Sequence, residues 1–160
     1  MNTPEFPNEI PSSSKPNETP ELETVKITSA IRALLQSPDI MDPIDRKIIE
    51  EAASFIESPV DDLTSITMHI DNIGAVCAGY MMQGNDVPRE IDAMHKNLLG
   101  VLYKYHIAIV QSELQSGFDQ KRIQLSIATA VDAAKVLASQ YDDNGPMEEA
   151  QALQAQIAQL

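Results

Sequence analysis

Apolar residues along this chain return every three or four positions, the period of helices with one buried face, and no stretch shows strand-like alternation bounded by hairpin turns. The first run follows Pro20: Leu22, Val25, Ala30, Ile31, Leu34 and Leu35 share these gaps, and the helix they predict stops before Pro38. "DPIDRKIIEEAASFIES" opens the second with Asp42 in the N-cap position and Pro43 at the first helical position, where a missing N–H costs nothing. Ile44, Ile48, Ala52 and Phe55 form its face, joined by Ile49 and Ile56. Ser58-Pro59 reads as the same start signal again, with Asp61 and Asp62 in a first turn that favours negative charge. Leu63, Ile66, Ile70, Ile73, Cys77 and Tyr80 carry that third helix towards Gly84, which is placed as its C-cap.

A fourth helix is expected from about Pro88 to about Ser116. Between Asn97 and Ser112 its one formal charge is Lys104, so most of its circumference must be covered, and it is expected at the centre of the fold. Tyr105 falls on its apolar stripe and Tyr103 on the flank. Gly117 interrupts the pattern; Phe118 to Tyr141 resume it, with Ile123, Ile127, Ala130, Ala134, Leu137 and Tyr141 alternating gaps of four and three in a coiled-coil-like seam. After the turn Asp142 to Pro146, "MEEAQALQAQIAQL" carries a thin stripe of Ala150, Leu153, Ile157 and Leu160, too narrow for a stable helix alone in water. It either packs back on the bundle, the preferred reading, or binds another chain. The expected fold is all-α: a compact bundle of five or six amphipathic helices, residues 21–160 forming a single domain in which 147–160 is a detachable C-terminal helix.

Residues 1–20 differ in kind. They hold five of the ten prolines and Ser12-Ser13-Ser14, with Phe6 and Ile10 as their apolar marks, and they are expected to form a disordered or extended arm. No secretory signal pattern opens the sequence and no apolar run reaches the roughly 18–20 residues that span a bilayer, so a cytoplasmic protein without membrane insertion is expected, free or inside a particle assembled there.

Charge narrows the choice of partners. With 24 acidic and 11 basic residues the formal charge is −13, a field that repels nucleic-acid backbones and anionic lipid, so direct nucleic-acid binding is not expected. The segment Asp39 to Asp62 holds eight acids and two bases; helix capping accounts for Asp42, Asp61 and Asp62, and Asp45, Glu50, Glu51, Glu57, Asp61 and Asp62 are candidates for docking a basic partner protein. Leu153, Ile157 and Leu160 are candidates for an apolar contact. The seam and the C-terminal stripe are the two places where copies of the chain would pair as a homo-oligomer.

Catalytic signatures are sparse. Gly74 and Gly79 have the spacing of the outer glycines of a phosphate loop, but Tyr80 and Met81 stand where Lys and Ser/Thr are needed and no strand precedes them. Cys77 is the lone cysteine, which excludes an internal disulfide, and its apolar setting reads as a small core residue. His95 and His106 lie three turns apart, roughly 16 Å along one helix, too far to share a metal directly; Asp92 and His95 are one turn apart. A cysteine or metal enzyme would require His69, His95 and Cys77 to converge. Gly74, Ala75, Ala78 and Gly79, in "NIGAVCAGYMMQGND", are read as the site of tightest helix packing, since helical glycine has a cost that close approach of another helix would offset. The sequence thus leads to a non-enzymatic acidic helical interaction protein without cofactor or metal, an accessory or assembly factor of a multiprotein complex such as a virus or phage particle. Its rivals are an acidic inhibitor or nucleic-acid mimic and, further off, a metal-dependent enzyme.

Overall fold

A computed structural model describes residues 20–37, 42–117 and 119–160; residues 1–19 of the expected N-terminal arm, Asp39 and Phe118 lie outside the described residues. These form α1 (Pro20–Leu35), α2 (Pro43–Glu57), α3 (Leu63–Met82), α4 (Arg89–Ser112), a π-helical turn (Glu113–Gly117), α5 (Gln120–Tyr141) and α6 (Gly145–Ala158). The all-α bundle that the periodicity predicts is the observed architecture, with six helices and no strand among the described residues.

Helix α4 is the central element and packs against α1, α2, α3 and α5. Around its N-terminal half, α1 to α3 contribute Ile31, Ile49, Ile66 and Ile73 to a cluster with Met94 and Leu98. Around its C-terminal half, Tyr103, Ile107 and Val110 meet Ile123, Ile127 and Ala130 of α5, with Ala150 of α6 behind them. The seam of α5 is buried as its spacing predicts: Ile123, Ala130, Ala134 and Leu137 are inaccessible or nearly so.

Local signals explain most boundaries. Asp42 caps α2 by accepting from the Ile44 amide at 2.8 Å, and Asp119 caps α5 by accepting from the Arg122 amide at 3.2 Å. Gly84 ends α3 with φ +73; its amide donates to the Met81 carbonyl and that of Asn85 to Tyr80, the paired bonds of a Schellman turn. At the α4–α5 junction the Glu113 carboxylate folds over Gly117, where a Cβ would come within 2.6 Å of it, and accepts from the Asp119 amide at 3.1 Å and Arg122 Nη1 at 3.0 Å. Gly117 leaves the space that this clasp occupies.

Several expectations need correction. Helix α3 begins at Leu63 rather than Pro59: Ser58 ends α2, and Asp62 is the N-cap, its carboxylate accepting from both the amide and the hydroxyl of Ser65. Val25, Ala30 and Ile44 point outward; the buried face of α1 runs instead through Ile27, Thr28, Ile31, Leu34 and Leu35. Thr28 can be buried because its hydroxyl donates to carbonyls one turn back, at Thr24 and Val25. Tyr103, assigned to the flank, is buried, whereas Tyr105 is half-buried.

The largest correction concerns "NIGAVCAGYMMQGND". Ala75 and Ala78 are exposed, a Cβ on Gly79 would meet nothing within 4 Å, and one on Gly74 would meet His95 Nε2 at an ordinary 3.8 Å. These small residues are not where helices pack most tightly. Ile66, Ile70, Ile73, Val76, Cys77 and Tyr80 claim the inner side of α3, and the small residues take what is left.

Candidate interaction surfaces and interior polar sites

The acidic candidates sit on the outside of α2 and on the turn that follows it. Glu50, Glu51, Glu57, Asp61 and Asp62 are exposed and Asp45 is half-buried. Part of this charge is engaged within the chain. Glu57 receives Arg32 Nη2 at 2.7 Å and so ties α2 to α1, Arg46 and Lys47 approach Glu50 and Glu51 one turn on at 3.9 and 4.0 Å, and Asp62 is held below the usual carboxylate range by its hydrogen bonds to Ser65. The two intrahelical pairs are exposed and weak. Glu50 and Glu51 also rim a shallow hollow with Ser54, Phe55 and His69.

The C-terminal stripe is divided. Ala150 is fully buried, and Leu153 and Ile157 pack partly against the second core cluster, so α6 folds back on the bundle; Leu160 is exposed. A hydrogen bond outside the stripe fastens it: the Tyr103 hydroxyl lies 3.0 Å from the Pro146 carbonyl and 2.8 Å from Glu149 Oε1, two acceptors in the first turns of α6. Burial, then the Glu149 carboxylate, raises this phenol far above its usual pKa.

The three histidines go to separate places. His69 packs on Phe55 of α2 with the ring planes tilted by 38° and the centroids 4.7 Å apart, whereas His95 turns to α5, its Nδ1 lying 2.6 Å from the Tyr141 hydroxyl. That hydroxyl also donates to Asp92 Oδ1 at 3.1 Å. A carboxylate accepts only, so the phenol donates to Asp92 and accepts from His95, which assigns the imidazole proton to Nδ1 and leaves Nε2 facing Gly74. The Asp92 and His95 pair, one turn apart, thus holds a bridging hydroxyl. His106 is buried with neither ring nitrogen hydrogen-bonded within the described structure. Burial lowers the pKa of all three, opposed at His69 by Glu51 and at His95 by Asp92.

Cys77 lies behind the same bridge. Burial pushes its thiol up to about 11, helped by the charge of Asp92, so the protonated, unreactive form prevails at neutral pH. Among the described residues no three His, Cys, Asp or Glu side chains group as metal ligands. The Asp92–Tyr141–His95 bridge leaves two separate traces in the sequence, the one-turn spacing of Asp92 and His95 and a tyrosine ending the seam, and neither alone points to the other.

A groove of about 1020 Å³ runs along the remaining side of α4, between α1 and the α5–α6 turn. Ala93, Gly100 and Ala108 lie along it, and its walls carry both charges, with Lys96 and Lys104 and with Glu23 and Glu149. No helix among the described residues is long and apolar enough to cross a membrane. Comparison with protein-family models, with curated proteins and with solved structures returns no match to this chain.

Proposed function

We propose that this is a helical interaction protein that works through surface contacts as an accessory or assembly factor of a larger multiprotein complex. The observation that carries the reading is how the reactive side chains are used. The thiol of Cys77 is held protonated, the phenols of Tyr103 and Tyr141 tie α4 to α6 and α5, and of the three histidines His69 and His106 are buried in different company while His95 is half-buried against Tyr141. Chemistry of the cysteine or metal kind needs such groups converging on an accessible centre with a lowered thiol pKa or a set of metal ligands, whereas Cys77, close to Asp92 and Tyr141, is buried with its thiol pKa raised, and His69 turns to Phe55 instead. The exposed carboxylates of α2 favour a second reading, an acidic inhibitor or nucleic-acid mimic that occupies a basic protein.

Affinity capture of the native partner, identified by mass spectrometry and reconstituted from pure components, tests the proposal. Reversing Glu50, Glu51 and Asp61 to lysine is expected to weaken the complex at least tenfold if the acidic surface is the docking site, with helicity retained because all three side chains are exposed. Loss of binding on Leu160→Asp alone places the contact at the C-terminal end. A substrate turned over by the pure protein and abolished by Cys77→Ala or His95→Gln would overturn the reading.

A further inference from the structure

We propose that the outer face of α3 is a self-association surface, on which a second copy of the chain lays its own α3 antiparallel about a two-fold axis at Ala75. The inference goes beyond the partner reading and does not depend on it. At 100° per residue, Thr64, Met68, Asp71, Asn72, Ala75, Ala78, Gly79 and Met82 fall on one face, opposite the buried Ile66, Ile73 and Cys77. Met68 is 46% exposed and Met82 88%, with Leu63 and Met81 also exposed on one flank. Methionine is costly to leave in water and adapts its shape to whatever covers it.

Charge selects the occupant. In a chain of net charge −13, α3 holds one formally charged residue in its 20, Asp71. A basic partner would find little to pair with here and an acidic one nothing. A second copy, repelled elsewhere by its own acids, meets a single carboxylate, Asp71, on the helix it lies against.

The spacing selects the geometry. With the axis at Ala75, each position lies level with the one as far on the other side of 75: Met68 with Met82 of the second copy, Asp71 with Gly79, Asn72 with Ala78. Ala75, Ala78 and Gly79 at the centre allow close backbone approach. The exposed Met82 then reaches the shallow hollow that Leu63, Thr64, Thr67, Met68, Asp71 and Asn72 form on the second copy. The two Asp71 carboxylates end about 12 Å apart along the axis, beyond the Debye length of about 8 Å at physiological salt. A parallel pair would set Asp71 against Asp71. The arrangement is isologous, so it closes at two copies.

One helix per copy gives an interface at the small end of specific ones, the class of weak, reversible contacts. Sedimentation equilibrium on the pure full chain, from about 1 µM to about 1 mM, is expected to show a monomer–dimer equilibrium that tightens as salt screens the net charge. Ala75→Glu and Met82→Glu should each weaken it at least tenfold while circular dichroism stays unchanged, both sites being exposed. Under mild oxidation Ala75→Cys should cross-link to itself. Met82→Cys should not, because the two copies of residue 82 lie about 21 Å apart. A chain monomeric throughout that range, a dimer indifferent to both glutamate variants, or self-linking of Met82→Cys would overturn the proposal; none of these results bears on whether a different protein is also bound.

Discussion

Two stretches rich in small residues, one on α3 and one on α5, meet opposite fates. On α5, Ala130, Ala133 and Ala134 are buried in the cluster that α5 shares with α4 and α6, whereas on α3, Ala75 and Ala78 face outward. The cause is the placement of the large apolar residues. On α5 they share the alanine face, since Ile123, Ile127 and Leu137 lie on the same seam, and covering them covers the alanines. On α3 they lie opposite, and burying Ile66, Ile73 and Val76 turns the alanines to the outside. Burial of one isoleucine stabilises by about 1.5–3 kcal/mol, far more than alanine's single methyl contributes, so the large residues set the rotation of the helix. Small residues permit close approach; they do not bring it about.

Enlarging one alanine on each helix should separate the two regions most clearly. Ala130→Leu forces extra methyl and methylene groups between α5 and α4 and is expected to cost about 1–3 kcal/mol. For a chain of this size that lowers Tm by roughly 2–12 °C. Ala78→Leu, measured at concentrations low enough to keep the chain monomeric, should change stability by no more than about 0.5 kcal/mol. Equal losses in thermal melts of the two variants would mean that the outer face of α3 is covered within the monomer.

A smaller effect separates two polar sites along α4, the helix that both regions pack against or turn away from. His95 shares a hydrogen bond with Tyr141, whereas His106, further along α4, has neither nitrogen paired among the described residues. Burial lowers the pKa of both, and of His69, below the unfolded value of 6.5. Above about pH 6.5 folded and unfolded chains carry these imidazoles neutral alike; below it the unfolded chain takes up protons that the folded one refuses. Stability is therefore fully present above that pH and falls as the solution is acidified. His106→Leu keeps the bulk and removes the unpaired nitrogens, so it is expected to raise stability by about 1 kcal/mol at pH 7 and by more at pH 5. A lower Tm at pH 7 would show that the imidazole makes a paired contact worth more than the packing of leucine.

The fold was legible where one residue type carries one meaning. Asp42 before Pro43 marks the start of α2, Gly84 the end of α3, and the gaps from Ile123 to Leu137 a seam that is buried as spaced. Legibility failed where two readings of one residue compete. Ser58-Pro59 resembles a helix start, but Asp62 holds Ser65 through two hydrogen bonds and begins the helix four residues later. Tyr103 and Tyr105 are equally aromatic, and what buries Tyr103 is the docking of α6, whose Pro146 and Glu149, 43 and 46 residues away, take its hydroxyl. The same holds for the bridge among Asp92, His95 and Tyr141: its halves are visible one by one, but their meeting depends on how α4 and α5 are aligned.

The smallest expected effect tests the α3 face at its least crowded point. A helical glycine is less favourable than alanine by about 0.8–1.0 kcal/mol through the backbone freedom it surrenders on folding, and that cost is recovered only if a neighbour needs the missing methyl's space. At Gly79 none does: an added Cβ would meet nothing within 4 Å. Gly79→Ala should therefore stabilise the monomer by up to about 1 kcal/mol, a rise in Tm of roughly 2–4 °C. Gly74→Ala should gain less, because its methyl would lie 3.8 Å from the bare Nε2 of His95, in contact but without a clash. If a two-copy pairing brings a second helix over residue 79, the same methyl that stabilises the dilute monomer should weaken association at high concentration. Opposite signs from one substitution, in a melt of the monomer and in sedimentation of the dimer, would distinguish a face left open by the fold from one kept open for a second copy.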